Sequence, residues 1–429
     1  MGLLLGLAAA TTGVVSFLPM FGVRPWHIFA GLALVIAILS TPAGTVRSLR
    51  LGLLDLAFGL FAVGSLLAEF INSSEVGYFD FIGAINPAFF LVGYFAARIA
   101  VTGRSSAYEA LRMYCIPAIL AGLVSVAQLG SVSFSQLVLR IAPGPGLQSR
   151  IIDGRLIRAT GFVGHWTGLG FYFCSVLAAG CAALLLARNL GGRPPRSIYW
   201  CLGAAVLGAV SSLTLSAIMT AVAIALVTMF VIGLKPSRLL ILAGVALVVY
   251  MQFGSLLGER VTQQTAYRKE YVPDWVPNTI AYRWKIWTEQ TVPVLQERLW
   301  TGWGSNIYST ADRPRRLVWG SPESQWLGTA MTSGMLVAGI LGVTLIVALL
   351  LIGRSAWSSV QSRWQLPVGV LLSCALVSSF TVPVFTNRGL PVGLWFIIGV
   401  VVAAGATYKN YVGDPGIRGE FESVKAAQS

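Results

Sequence analysis

The chain has 429 residues, of which 56 % are hydrophobic and only 11 % charged, with a mean hydropathy of +0.75. Soluble domains carry about 25 % charged residues, so a water-soluble globular enzyme is excluded, as is a disordered chain, which needs low hydrophobicity. The net charge of +14 would point to nucleic acid in a soluble protein; in a membrane protein Lys and Arg first orient the chain, and no nucleic-acid partner is expected.

A membrane span needs roughly 20 mostly apolar residues. In chain order, twelve stretches qualify: 2–22, 25–41, 51–71, 79–97, 113–130, 161–187, 199–213, 216–234, 239–257, 326–352, 365–384 and 390–407. The first lacks a basic n-region and is read as a retained helix. Residues 199–234 read as a hairpin: Arg188, Arg193 and Arg196 precede them and Lys235 and Arg238 follow, so two spans keep both clusters on one side. The expected fold is all-α, a polytopic bundle of about 12 transmembrane helices with a large extracytoplasmic loop containing interfacial helices. Its parts are helices one to five (1–130), a first outer segment (131–160), helices six to nine (161–257), a large outer, periplasmic loop (258–325), helices ten to twelve (326–407) and a cytoplasmic tail (408–429).

With the N-terminus inside, fifteen basic residues fall in inner segments, whereas the short outer loops carry only Arg24 and Arg388. That asymmetry predicts two cytoplasmic termini. The other thirteen basic residues lie in 131–160 and 258–325, where orientation gives no reason for them. There they face acids at four against one and nine against seven, too small a surplus for a general polyanion binder. Cys115, Cys174, Cys181, Cys201 and Cys374 lie in or beside apolar stretches and read as small buried hydrophobes. With two histidines and no paired Cys spacing, no protein-built transition-metal site and no cofactor are expected.

Seven tryptophans fall between 275 and 326. Ile280, Trp284, Trp287 and Thr291 recur at helical spacing, which predicts a helix along the outer membrane surface, flanked by Arg283 and Lys285 and interrupted by Pro293. Such a helix is either a plain interfacial anchor touching anionic lipids or a holder of the phosphates of a lipid-linked substrate, a task that suits arginine's planar fork.

Three ordered segments resemble the bacterial O-antigen polymerase and O-antigen ligase superfamily. Arg158-Ala159-Thr160-Gly161 leading to His165 is similar to its R-x-x-G element. Arg283-Trp284-Lys285-Ile286-Trp287, followed by Gly302-Trp303-Gly304, is similar to its R-x-x-x-W helix and G-x-G turn. Ser321-Pro322-Glu323-Ser324-Gln325 leads to Gly334, Gly339 and Gly342 on a span. The resemblance covers about 155–352 and departs at two places. Ligases of the family generally carry His then Asn where this chain has Glu323 and Ser324, and the Ser-Arg dipeptide after the seventh span is Ser216-Ala217 here. A carboxylate at 323 looks more like the polymerase branch.

The resemblance implies a metal-independent glycosyltransferase in the bacterial inner membrane. Its donor and acceptor would be polyprenyl-pyrophosphate-linked oligosaccharides, its surroundings membrane lipids, and its partners a flippase and a chain-length regulator. Arg158 and Arg283 would clamp the leaving pyrophosphate, with Arg155, Arg315 and Arg316 as further contacts. Glu323 would be the general base, or else a rim carboxylate paired with Arg315 or Arg316. His165, with an intrinsic pKa near 6.5, is the other proton-transfer candidate, or a polar group satisfied inside the bundle. The alternatives are a ligase and, from a different class, a secondary transporter or flippase, for which the intramembrane Asp55 and Glu69 would speak.

Overall fold

The computed structural model describes residues 1–16, 22–41, 51–76, 81–144, 151–152, 155–156, 158–233, 244, 251, 254–255, 258, 262, 276, 278–305, 307–308, 314–318, 320–386 and 388–413. In chain order the helices are α1 (Gly2–Ala10), α2 (Pro25–Ser40), α3 (Leu53–Val76), α4 (Phe81–Ala100), α5 (Arg104–Cys115), α6 (Pro117–Gly130) and α7 (Val132–Ile141). They continue as α8 (Trp166–Asn189), α9 (Arg196–Ser211), α10 (Leu215–Ile232), α11 (Asn278–Ile286), α12 (Val292–Glu297), α13 (Gln325–Ser358), α14 (Leu366–Ser379) and α15 (Leu390–Gly413). A two-residue antiparallel ladder, β1 (Ile151–Ile152) with β2 (Arg155–Leu156), is a small addition to the helical expectation.

Five of the described helical stretches are long and apolar enough to cross a membrane: α3, α5 with α6, α8, α10 and α13. The chain is thus an all-α membrane protein, while the expected ninth span, 239–257, falls almost entirely outside the described residues. Several boundaries move, among them those of the first and last stretches. Among its described residues the first stretch is helical to Ala10, where the chain turns: the Gly13 amide donates to the Phe162 carbonyl and that of Val15 to Ile141. The last helix runs past 407 to Gly413.

At the centre stands α8, buried along nearly its whole length from Thr167 to Ala187. A helix apolar all round belongs in a core, and small residues let its neighbours close in. A Cβ at Gly208 would overlap the Phe173 ring, and one at Gly180 would press on Leu202, so α9 runs antiparallel to α8. The Cys174 thiol donates to the Ala217 carbonyl and Cys181 pairs with Thr228, so α10 runs parallel to it. Residues 196–232 therefore form the expected hairpin, broken at Ser212–Thr214. Helices α5, α14 and α15 complete the shell, and α3 packs on α13.

Candidate active site

Arg283 lies on α11, and the helical run that α11 begins is not interrupted at Pro293. A π-helical turn, Trp287–Thr291, carries the chain directly into α12, and Pro293 sits in the first turn of that helix, where a missing N–H costs little. The Thr291 hydroxyl donates to the Ile286 carbonyl across the widened turn. Arg283 and Trp287 are four residues apart and so share a face. Both grip the segment before α13: the Arg283 guanidinium lies 2.8 Å from the Glu323 carboxylate, and the Trp287 indole donates to the Pro322 carbonyl at 2.6 Å.

Glu323 adopts a left-handed backbone, φ +50°, which costs a non-glycine residue about 1–2 kcal/mol. Its amide donates to Ser321 Oγ. With side-chain exposures of 42 % for Glu323 and 17 % for Arg283, the carboxylate reaches solvent while the cation is mostly covered. The expected alternative, a pair with Arg315 or Arg316, gives way to Arg283. Those two arginines sit exposed on a turn whose Val318 amide donates to Gln290 Oε1, two helical turns along from Arg283.

The R-x-x-G element is built around Gln128. Its Oε1 accepts from the Thr160 and Gly161 amides at 3.1 and 2.8 Å. Gly161 and Gly164 have φ of +51° and +72°, and this bends the chain into α8. Arg158 is 9 % exposed. Its Nε donates to the Ser212 carbonyl and its Nη2 to Thr214 Oγ1, and its guanidinium lies 4.9 Å from the centre of the Trp166 ring. Arg158 thus pins the α9–α10 break, where Leu213 is left-handed. His165 caps α8, its Nδ1 accepting from the Gly168 amide, and stacks on Trp166. Arg155 belongs to β2, and its side chain lies outside the described residues.

Two cations that the sequence placed in separate short loops, Arg24 and Arg388, come near enough for their charges to interact. Arg388 donates to the Pro143 carbonyl and packs on Gly164, where a Cβ would collide with it. Burial first, and the charge of Arg24 second, hold the Arg388 guanidinium below its ordinary pKa.

The G-x-G turn docks into a break in α13. Gly334 has φ +85° and ψ +164°, which interrupts the helix and frees carbonyls; Met331 and Thr332 then accept from the Trp303 and Gly304 amides. Helix α3 clasps the same turn. Glu69 accepts from the Ser305 amide at 2.7 Å, and the Asn72 amide donates to Thr301 and its Oδ1 accepts from Arg298. Asp55, the other intramembrane carboxylate, accepts from the Tyr94 hydroxyl and the Gly52 amide and lies 3.5 Å from Arg98. Both acids therefore have local structural partners.

Gln325, fully buried at the start of α13, accepts from the Phe385 amide and donates to Thr329 and Thr386, tying this end of α13 to the loop that carries Arg388. Gln128, Gln325 and Asn72 were missed in sequence. Their signal was a lone amide side chain inside or beside an apolar run, which needs a partner.

Residues 198–341 match the family model described as O-antigen ligase, in support of the O-antigen polymerase and ligase superfamily. The match runs from α9 to the middle of α13 and takes in Arg283, the G-x-G turn and Glu323, whereas the Arg158 element precedes it. A comparison with curated proteins found no match.

Proposed function

We propose that the protein polymerises polyprenyl-pyrophosphate-linked oligosaccharide units at the outer face of the bacterial inner membrane, with both termini cytoplasmic. The observation that carries this reading is the Arg283–Glu323 pair at the mouth of α13. A base and a cation poised together suit a displacement in which a hydroxyl loses its proton while a pyrophosphate gains charge.

In the proposed step the acceptor hydroxyl oxygen attacks the anomeric carbon of the donor glycan. The new C–O bond forms as the bond from that carbon to the pyrophosphate oxygen breaks, and the hydroxyl proton passes to the Glu323 carboxylate. Arg283 pairs with the leaving pyrophosphate. In the resting protein it holds Glu323 instead, so the arriving pyrophosphate draws off the guanidinium and frees the carboxylate for the proton. The Arg24–Arg388 neighbourhood, Arg315 and Arg316 supply further positive charge, and Arg158 holds the α9–α10 turn in shape. The reaction uses no nucleotide sugar and no metal.

The carboxylate at 323, where ligases generally carry His, favours a polymerase. The ligase reading is kept because the matching family model is described by that activity. Purified protein incubated with lipid-linked repeat units, with chelator and without nucleotide sugar, should lengthen the glycan one repeat at a time. Transfer only to an added, different acceptor would establish the ligase, and no bond formation would refute both.

A further inference from the structure

The outward face of α11 and of the turn that follows it takes no part in the reaction proposed above. Ala281 and Ile286 are buried against the protein, which leaves Ile280, Trp284, Lys285, Thr288 and Glu289 exposed. Trp284 is 59 % exposed. Beside it Lys285 and Glu289, one helical turn apart, pair at 3.9 Å with side chains 63 % and 57 % exposed. Charges sunk in hydrocarbon are costly, so this face is wetted. Thr288, one turn on from Trp284, donates its hydroxyl to the Trp284 carbonyl at 2.9 Å. The face is thus a narrow apolar strip, Ile280 and Trp284, edged by groups that donate and accept hydrogen bonds.

The Trp284 ring is held as well as exposed. Trp284 and Trp287 are three residues apart and so neighbours on the helix surface. Their ring centres lie 6.4 Å apart with the planes at 61°, an edge-to-face arrangement. Trp287 is fixed in turn by its indole N–H on the Pro322 carbonyl, one residue before Glu323. One ring contact and one hydrogen bond therefore tie Trp284 to the segment that carries the acid. A tryptophan that only anchors a helix in the headgroup layer requires neither that link nor an exposed ion pair at its side.

We infer that Trp284 is a stacking platform for one pyranose ring of the acceptor glycan, an inference that rests on the reaction proposed above. A pyranose has two kinds of surface. One face displays C–H groups polarised by the neighbouring oxygens, and these pack on the negative face of the indole. The rim carries hydroxyls, which meet Lys285 as a donor, Glu289 as an acceptor and the Thr288 oxygen as an acceptor. The acceptor is the glycan placed here because its hydroxyl must come to Glu323, and the platform is tied to the Glu323 segment. A ring already held by Trp287 loses little freedom when the sugar arrives. An arginine on a pyrophosphate recognises what every repeat unit shares, whereas Trp284 touches the sugar itself and so bears on which glycan is extended.

The test is saturation-transfer NMR of the purified full-length protein with the free repeat-unit oligosaccharide, released by mild acid from the host's lipid-linked pool. The wild-type protein should transfer saturation mainly to the C–H face of one sugar ring. Trp284→Ala and Trp284→Leu should lose that signal, and Trp284→Phe should recover most of it. In the extension assay the Ala and Leu variants should raise KM for lipid-linked units about tenfold, with kcat changing by less than about threefold. Leucine keeps the apolar bulk of an anchor and phenylalanine keeps the aromatic face, so a wild-type KM in Trp284→Leu overturns the proposal. No signal from the wild-type protein, or an equal one from Trp284→Ala, also overturns it. Saturation transfer needs no turnover: sugar binding that depends on Trp284 without any extension would refute the reaction and leave the platform, and extension with Trp284→Leu at wild-type KM would do the reverse.

Discussion

The Arg283 guanidinium and the Glu323 carboxylate meet at 2.8 Å, joining α11 to the residue two positions before α13. Each member has a chemical use that the other occupies at rest, so the two substitutions should fail for different reasons. Glu323→Gln keeps the shape and loses the base, and chain extension should fall about 10²–10⁴-fold. Arg283→Ala should cost about 10²–10³-fold through lost stabilisation of the leaving group. Neither should lower thermal stability by more than about 1 kcal/mol, because the pair is partly exposed. Exchanging the two residues would rebuild a merely structural bridge. Recovery of polymer length in that double variant, measured on extracted glycans, would remove both from the chemistry.

The left-handed backbone at Glu323 gives a second expectation. Glycine occupies that conformation without strain, so Glu323→Gly should be more stable than Glu323→Ala by about 1 kcal/mol, and both should be inactive. Thermal denaturation in one detergent decides it; equal midpoints would mean that the strain is not stored there.

Arg158 should behave in the opposite way to Arg283. It is buried and donates two charge-assisted hydrogen bonds to the α9–α10 turn, so Arg158→Ala should destabilise by about 2–3 kcal/mol. Lysine can reach one acceptor but lacks the fork, so Arg158→Lys should fall between. Thr214→Val should reproduce part of the loss. If Arg158→Ala left the thermal midpoint unchanged and still abolished extension, Arg158 would instead be a direct phosphate contact.

The all-α membrane fold and the 196–232 hairpin were legible because hydropathy and flanking charge carry them, and local motifs singled out Arg283 and Glu323 as candidates. The pairing of Arg283 with Glu323 was not, since forty residues separate them and Arg315 and Arg316 lie nearer in sequence. Arg24 and Arg388 were visible as outliers of the charge pattern, but only the fold brings them near enough for their charges to interact. The length of the surface helix was misjudged at Pro293, because a π-helical turn that accommodates a proline leaves no mark in residue spacing.

Gly334 should tolerate no side chain. Its φ and ψ fall in a region open essentially to glycine, at a cost of about 1–3 kcal/mol for any other residue, and a Cβ there would overlap the Trp300 carbonyl. Gly334→Ala should therefore undock the G-x-G turn and reduce both stability and extension. Gly339, whose Cβ would meet nothing within 4 Å, is the control: Gly339→Ala should be nearly neutral. Comparable losses from the two substitutions, in thermal midpoint and polymer length, would show that the break itself is not what matters.

Glu69 separates the enzyme from the transporter class. A carboxylate that carries protons across a membrane must lose and regain them, so replacement by glutamine stops transport. Glu69 instead accepts a 2.7 Å hydrogen bond from the Ser305 amide and lies against Gly304. An amide oxygen can take over that role, because the donor is a backbone N–H and needs only an acceptor. Glu69→Gln should therefore retain most of the wild-type extension activity, whereas Glu69→Ala leaves a donor without its partner and should lose stability by about 1–3 kcal/mol. Extension by purified protein in detergent, where no proton gradient exists, should be the same for wild type and Glu69→Gln within about threefold, a difference of under about 1 kcal/mol. Failure of Glu69→Gln at an unchanged thermal midpoint would return Glu69 to a titrating role and reopen the proton-coupled reading.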